Sequence, residues 1–118
     1  MGKISEFTQA DYEVIARDYA DLKEAARKRC NDQEELDMVQ KAFDFANEAH
    51  KGVRRRSGEP YILHPIAVAK IVVSNIGLGC KSIMAALLHD VVEDTDYTVD
   101  DLKSLFGEKV ATLVEGLT

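Results

Sequence analysis

Apolar residues recur along this chain at spacings of three and four almost from end to end, the period of one face of an α-helix. Tyr12, Ile15, Tyr19, Leu22 and Ala26 form the first series and predict an amphipathic helix ending near Cys30. Asn31 or Asp32 offers the side-chain oxygen that caps a second helix, whose series Leu36, Val39, Phe43, Ala46 and His50 sets His50 on the buried face. Lys51 to Pro60 breaks the rhythm: Gly52, Gly58 and Pro60 with no apolar period read as a loop. A third helix is predicted from Pro65 to Ser74 or Asn75, because proline is well tolerated at a first helical position. It is apolar nearly all round apart from Lys70 and Ser74, so it should be mostly buried. Gly77 and Gly79 end it. A fourth helix starts at Lys81 or Ser82, continues through SIMAALLHDVVED and, apolar around most of its circumference, is expected at the centre. Thr98 with Asp101 three residues on gives a capping-box start to a fifth helix through Val99, Leu102 and Phe106. Gly107 closes or kinks it, and Val110, Leu113 and Leu117 mark a last helix. Ile71 to Val73 and Val91 to Val92 are the places where strands compete, but neither stretch alternates apolar with polar. The expected fold is all-α, a bundle of five to six helices.

The 118 residues suffice for one domain with a real core, and there is no internal repeat, low-complexity tract or interdomain linker. A net charge of -6 argues against a general nucleic-acid binder, so an anionic ligand has to be met by a local basic patch. Cys30 and Cys80 form neither a disulfide framework nor a CxxC metal pattern, which is the usage of a reduced cytoplasmic protein. No apolar stretch approaches membrane-spanning length, and the N-terminal segment lacks the apolar core of a signal peptide. Oligomeric state is not legible.

The chemistry concentrates in HDVVED, residues 89 to 94. His89 and Asp90 are followed a turn later by Glu93 and Asp94, at a helix end where the macrodipole already presents partial negative charge. A cation is expected nearby, and imidazole with carboxylate is a ligand set suited to Mn, Fe, Zn or Co. Adjacent helical residues diverge by about 100°, so one ion can touch both His89 and Asp90 only against the helix flank, with further ligands arriving from elsewhere. The chain has two other histidines, His50 and His64. Taken alone, His64 before Pro65 reads more readily as a helix-entry or core imidazole; beside HDVVED it becomes the choice for third ligand. His50 fits ligation less well than a supporting role, hydrogen-bonded to the basic loop or to a ligating carboxylate. Glu93 and Asp94 extend the polar stripe and are candidates to orient a water and accept its proton, against the plain alternative of a solvated helix end. Arg54, Arg55, Arg56 and Ser57, followed by Gly58, supply forked donors and a hydroxyl suited to a phosphate ester or pyrophosphate, although three loop arginines are more often a solvated surface.

The segments AHKGVRRR, SGEPYILHPIAVAKI, AALLHDVVEDT and FGEKVATLVEGLT together resemble the N-terminal HD-type hydrolase domain of the RelA/SpoT alarmone enzymes, over about residues 36 to 118. The resemblance implies an HD-type helical domain and manganese-dependent removal of the 3′-pyrophosphate of guanosine tetraphosphate or pentaphosphate, giving GDP or GTP and pyrophosphate. It implies His64, His89 and Asp90 as metal ligands, Glu93 and Asp94 as the acids of water activation, Arg55, Arg56 and Ser57 as the nucleotide-contacting loop, and His50 as a non-ligand. Family members add a further aspartate ligand from a helix beyond the GLT at residues 116 to 118, and some add a synthetase portion. Residues 1–30 are expected as an amphipathic helix packed on or leading into the domain, and residues 31–118, on the basis of the resemblance, as a hydrolase domain truncated at its C-terminal side. A different HD-type nucleotide phosphohydrolase and a catalytically silent regulatory module are the alternatives.

Overall fold

A computed structural model describes residues 6–75 and 78–117, and the described residues form six helices with no strand. They are α1 (Gln9–Ala26), α2 (Gln33–Ala49), α3 (Leu63–Val73), α4 (Cys80–Asp94), α5 (Val99–Phe106) and α6 (Glu108–Leu117). The predicted all-α architecture is what forms. Helix α4 lies at the centre, packed on α2, α3 and α6, while α1 rests on α3 and α2 and α5 pairs with α6. Residues Ile83 to Leu88 of α4 are all buried. Each of its large apolar side chains contributes roughly 1.5–3 kcal/mol by leaving water, which makes α4 a rigid platform for whatever stands at its end.

The helix ends show where local rules decide and where packing does. Helix α1 starts earlier than its apolar series, at a capping box in which Thr8 and Asp11 satisfy each other's backbone N–H groups, and it stops at Ala26 rather than near Cys30. Tyr12 is correspondingly off the core, 46% exposed and set edge-on against Phe7. Asp32, not Asn31, caps α2, accepting from the Glu35 N–H. Helix α3 begins at Leu63, so Pro65 takes its third position instead of the first. This is tolerated because the first N–H groups of a helix have no intrahelical acceptor. The expectation that α3 is mostly buried fails in part: Pro65, Ile66 and Ala69 are covered, but Ile71 is 64% exposed. With α1 and α4 as its main neighbours, its outer side has nothing to pack on. Helix α4 opens at Cys80 after Gly79, one residue before the predicted start; Gly77 lies outside the described residues. Thr98 and Asp101 form the predicted capping box, and Gly107, at φ 97°, makes the left-handed turn between α5 and α6 that an L side chain rarely adopts.

The predicted loop is a tight hairpin rather than an open one. Arg55 N–H donates to the Glu59 carbonyl at 2.9 Å and Tyr61 N–H to the Val53 carbonyl at 2.8 Å, with Gly58 turning at φ 99°. Val53 and Pro60 tuck under it. This hairpin delivers Tyr61 and His64 to the end of α4.

Candidate metal centre

His89 and Asp90 stand in the last turns of α4, and His64 reaches them from the first turn of α3. One ligand atom from each lies within 4.8 Å of the others. Donors held about 2.1 Å from one ion stand about 3.0–4.2 Å apart, so small side-chain rotations bring all three into bonding reach. Asp90 uses its two oxygens for different partners: Oδ1 is 3.2 Å from His89 Nε2, and Oδ2 is 3.7 Å from His64 Nε2. Exposure falls from the rim inward, the side chains of His64, His89 and Asp90 being 37%, 15% and 7% exposed. An ion would therefore enter past His64.

The tautomer of His89 is set from behind. Its Nδ1 donates to the Ala86 carbonyl at 2.7 Å, which leaves the Nε2 lone pair facing the Asp90 carboxylate. Two lone pairs at 3.2 Å repel unless a proton or a cation lies between them. The donor set thus fits a divalent cation, with imidazole nitrogen and carboxylate oxygen as its ligands.

Around these three the structure places two groups that hold carboxylates. Tyr61 O–H donates to Asp90 Oδ2 at 3.2 Å, and its ring lies between those of His50 and His64, with centroids 5.1 and 5.8 Å away. Burial first, then the Asp90 and Asp94 carboxylates, push its phenol well above the usual range, so it stays a donor. Sequence reasoning missed Tyr61, although an aromatic hydroxyl one turn before His64 was there to be found. His50, only 1% exposed, donates from Nδ1 to the Ala46 carbonyl and meets Asp94 Oδ2 with Nε2 at 3.2 Å. With both ring nitrogens facing acceptors, a shared proton must lie between His50 and Asp94. The sequence left His50 the basic loop or a ligating carboxylate as partner; its side chain meets neither, because the carboxylate it holds is that of Asp94, outside the His64, His89 and Asp90 cluster.

Glu93 is at the surface, whereas Asp94 is half-buried and held by His50. Arg55, Arg56 and Ser57 are exposed at the hairpin, where Ser57 O–H donates to Glu59 Oε1 at 2.8 Å and Arg55 Nε stands 3.8 Å from the same oxygen. The charge of Arg55 still reaches Tyr61. Arg54 does not join them. Its guanidinium donates to the Glu6 carbonyl and Asp11 Oδ2, both at 2.7 Å, and to the Gly58 carbonyl, and it lies over the Phe7 ring. That arginine fastens the hairpin to the start of α1. The hydrogen bond from Arg54, with that from the Thr8 N–H, holds the Asp11 carboxyl down at about 2.

Comparison with known proteins gives the family. The HD domain family matches residues 42–118, which include every residue of the cluster. The chain belongs to the HD domain family. Within it the domain is of the RelA/SpoT type. It is 50% identical over 80 residues to a guanosine-3′,5′-bis(diphosphate) 3′-pyrophosphohydrolase of Aquifex aeolicus, covering 68% of this chain and 11% of that protein. It is 48% identical over 86 residues to the bifunctional (p)ppGpp synthase/hydrolase SpoT of Escherichia coli, covering 73% and 12%. It is 46% identical over 94 residues to a probable GTP pyrophosphokinase of Mycobacterium leprae, covering 80% and 12%. The chain thus spans roughly a tenth of the length of these curated relatives. No described helix is long and apolar enough to cross a membrane.

Proposed function

We propose that this HD domain hydrolyses the 3′-pyrophosphate of guanosine tetraphosphate or pentaphosphate, releasing GDP or GTP and pyrophosphate, as part of a longer cytoplasmic RelA/SpoT-type enzyme. The observation that carries the reading is the convergence of His64, His89 and Asp90, beside acids that can manage a proton. Residues 31–118 are the hydrolase domain in this reading, and α1 is packed on it through α3 and α2. Mn(II) is the proposed ion. When bound it would polarise the scissile phosphoryl group and lower the pKa of an attacking water.

The chain's own residues have separate tasks. His64, His89 and Asp90 hold the cation, with Tyr61 fixing the Asp90 carboxylate and Ala86 fixing the His89 ring. Asp94, coupled to His50 by the shared proton, receives the proton of the attacking water; Glu93, at the open side, orients that water. The water oxygen bonds to phosphorus, the bond from phosphorus to the 3′-oxygen breaks, and the proton returns to that oxygen. Arg55, Arg56 and Ser57 grip the substrate's phosphates, a positioning and electrostatic role.

A panel of nucleotides, assayed with Mn(II) on the 118 residues and on a chain extended to the length of its relatives, tests this. The extended chain should strongly prefer a 3′-pyrophosphate. The three protein donors alone should hold the ion weakly and turn over slowly. Equal rates on other phosphoesters would assign a different HD phosphohydrolase. An extended chain that binds no metal and hydrolyses nothing would assign a silent regulatory module.

A further inference from the structure

Helix α4 carries a second cluster of ligating side chains at its other end. Cys80 is its first residue, and it packs against the connection between α1 and α2, where Cys30 precedes α2 and Glu35 lies in its first turn. Cys30 Sγ, Cys80 Sγ and a Glu35 carboxylate oxygen all lie within 4.8 Å of one another. We propose that Cys30, Glu35 and Cys80 form a second metal site for a thiophilic divalent cation such as Zn(II), with a fourth position for water, tying the α1–α2 connection to the start of α4.

Donor chemistry and geometry both fit. In a tetrahedral zinc site with sulfur ligands at about 2.3 Å, the two sulfurs stand about 3.8 Å apart and each lies about 3.5 Å from a carboxylate oxygen. Closing the present cluster to those separations shortens each pair distance by at most about 1.3 Å. The three donors come from three chain segments already fixed by packing: Ala26, Leu36 and Val39 are buried alongside, and Cys80 is itself 6% exposed. Cys80 Sγ–H now donates to the Glu35 carbonyl at 3.2 Å, and Glu35 Oε1 accepts from the Asn31 N–H at 2.9 Å. A carboxylate oxygen keeps lone pairs for a cation after accepting that bond.

The local field separates a cation site from a disulfide switch. Burial first pushes the Cys30 thiol up, hydrogen bonding with the Cys80 thiol pulls it part of the way back, and the Glu35 and Asp32 carboxylates raise it again; for Cys80 burial leads, the neighbouring Cys30 thiol comes next, and the same two carboxylates add to it. Thiol oxidation and exchange proceed through the thiolate, which such surroundings suppress. A divalent cation inverts this, stabilising both thiolates as it binds and releasing two protons to solvent. Two thiolates, a carboxylate and a divalent cation sum to one negative charge. The adjoining cavity of about 430 Å³, reached from Glu35 and Cys80, is also lined by Arg29, Lys81 and Lys109, whose charges offset that residue. His89 stands nine residues along α4, about 13 Å along the axis, so the two sites cannot share an ion.

Titration of the reduced 118-residue chain with Co(II), a spectroscopic stand-in for zinc, tests this through the near-ultraviolet charge-transfer band that only thiolate ligation produces. One equivalent should develop the band with release of two protons per chain, and Zn(II) should then bleach it by displacement without further proton release. A chain carrying both His64→Ala and His89→Ala should keep the band. Cys30→Ser, at a half-exposed position and checked for helicity by circular dichroism, should lose it. Glu35→Gln should keep it with at least about tenfold weaker affinity, since loss of outer-shell partners alone already costs that much. The proposal is overturned if folded wild-type protein with two titratable thiols gives no band, if the band survives Cys30→Ser, or if it vanishes in the double histidine variant. Conversion of the thiols to a disulfide by dissolved oxygen, with no metal uptake by the reduced protein, also overturns it.

Discussion

Asp90→Asn separates a cation site from an ordinary hydrogen-bonded core, because the two readings predict opposite patterns of stability. In the wild type, Asp90 Oδ2 accepts from Tyr61 while Oδ1 confronts the Nε2 of a His89 ring whose Nδ1 is already committed to Ala86. Asparagine keeps the shape: its oxygen can accept from Tyr61, and its amide N–H can donate to His89 Nε2. Without metal, the variant should therefore match or exceed wild-type stability, within about 1 kcal/mol, since a buried charge is replaced by a satisfied neutral isostere. With Mn(II) at about 100 times its dissociation constant, the wild type gains about 2.7 kcal/mol. For a domain of this size that raises the melting temperature by about 10 °C. Asparagine, lacking the anionic ligand, should gain less than about 1 kcal/mol under the same conditions. Thermal melts by far-ultraviolet circular dichroism, in chelator and in Mn(II), measure all four states. A variant several kcal/mol less stable in chelator, or one stabilised by Mn(II) as much as the wild type, would refute the assignment of Asp90 as a ligand.

Tyr61→Phe removes one hydrogen bond to a charged group, worth about 1.5 kcal/mol at this length, and should weaken Mn(II) binding about tenfold by calorimetric titration with helicity unchanged. Unaltered affinity would deny Tyr61 its positioning role. Tyr19 stacks on Phe43 with centroids 3.8 Å apart, but its buried hydroxyl has no hydrogen-bond partner among the described residues. Tyr19→Phe should stabilise the fold by about 1 kcal/mol in urea denaturation, and a loss of stability would show that the hydroxyl is satisfied. Asp11 is held below the ordinary carboxylate value of 3.8, at about 2, so its contribution is present above pH 3.8 and disappears as pH falls through 2. Between pH 5 and 2 the melting temperature of Asp11→Asn should fall less than that of the wild type, and parallel curves would contradict the role of the Arg54 bridge.

Much of the fold was legible because its determinants are short-range. The apolar series through α2, the Thr98–Asp101 cap and the breaker Gly107 each act within a few residues, and the structure repeats them closely. The errors lie where neighbours decide. Ile71 looks like a core residue in a nearly all-apolar helix, yet no element of the described fold covers its side of α3. Tyr12 continues an apolar period, but it lies in the first turn that Thr8 caps, 46% exposed, with its ring edge-on to Phe7. Arg54 reads as one of three equal loop cations; the hairpin turn and the α1 cap hold it away from the other two.

Periodicity, capping residues and the adjacent pair His89 and Asp90 are properties of consecutive residues, and they settle the helical class and mark where chemistry sits. Which distant groups complete that pair is a matter of how α3 and the hairpin seat on α4. That seating depends on core packing among residues far apart in the chain, which no local pattern encodes. Only the packed bundle brings His64 and Tyr61 to Asp90, His50 to Asp94, and Cys30 to Cys80.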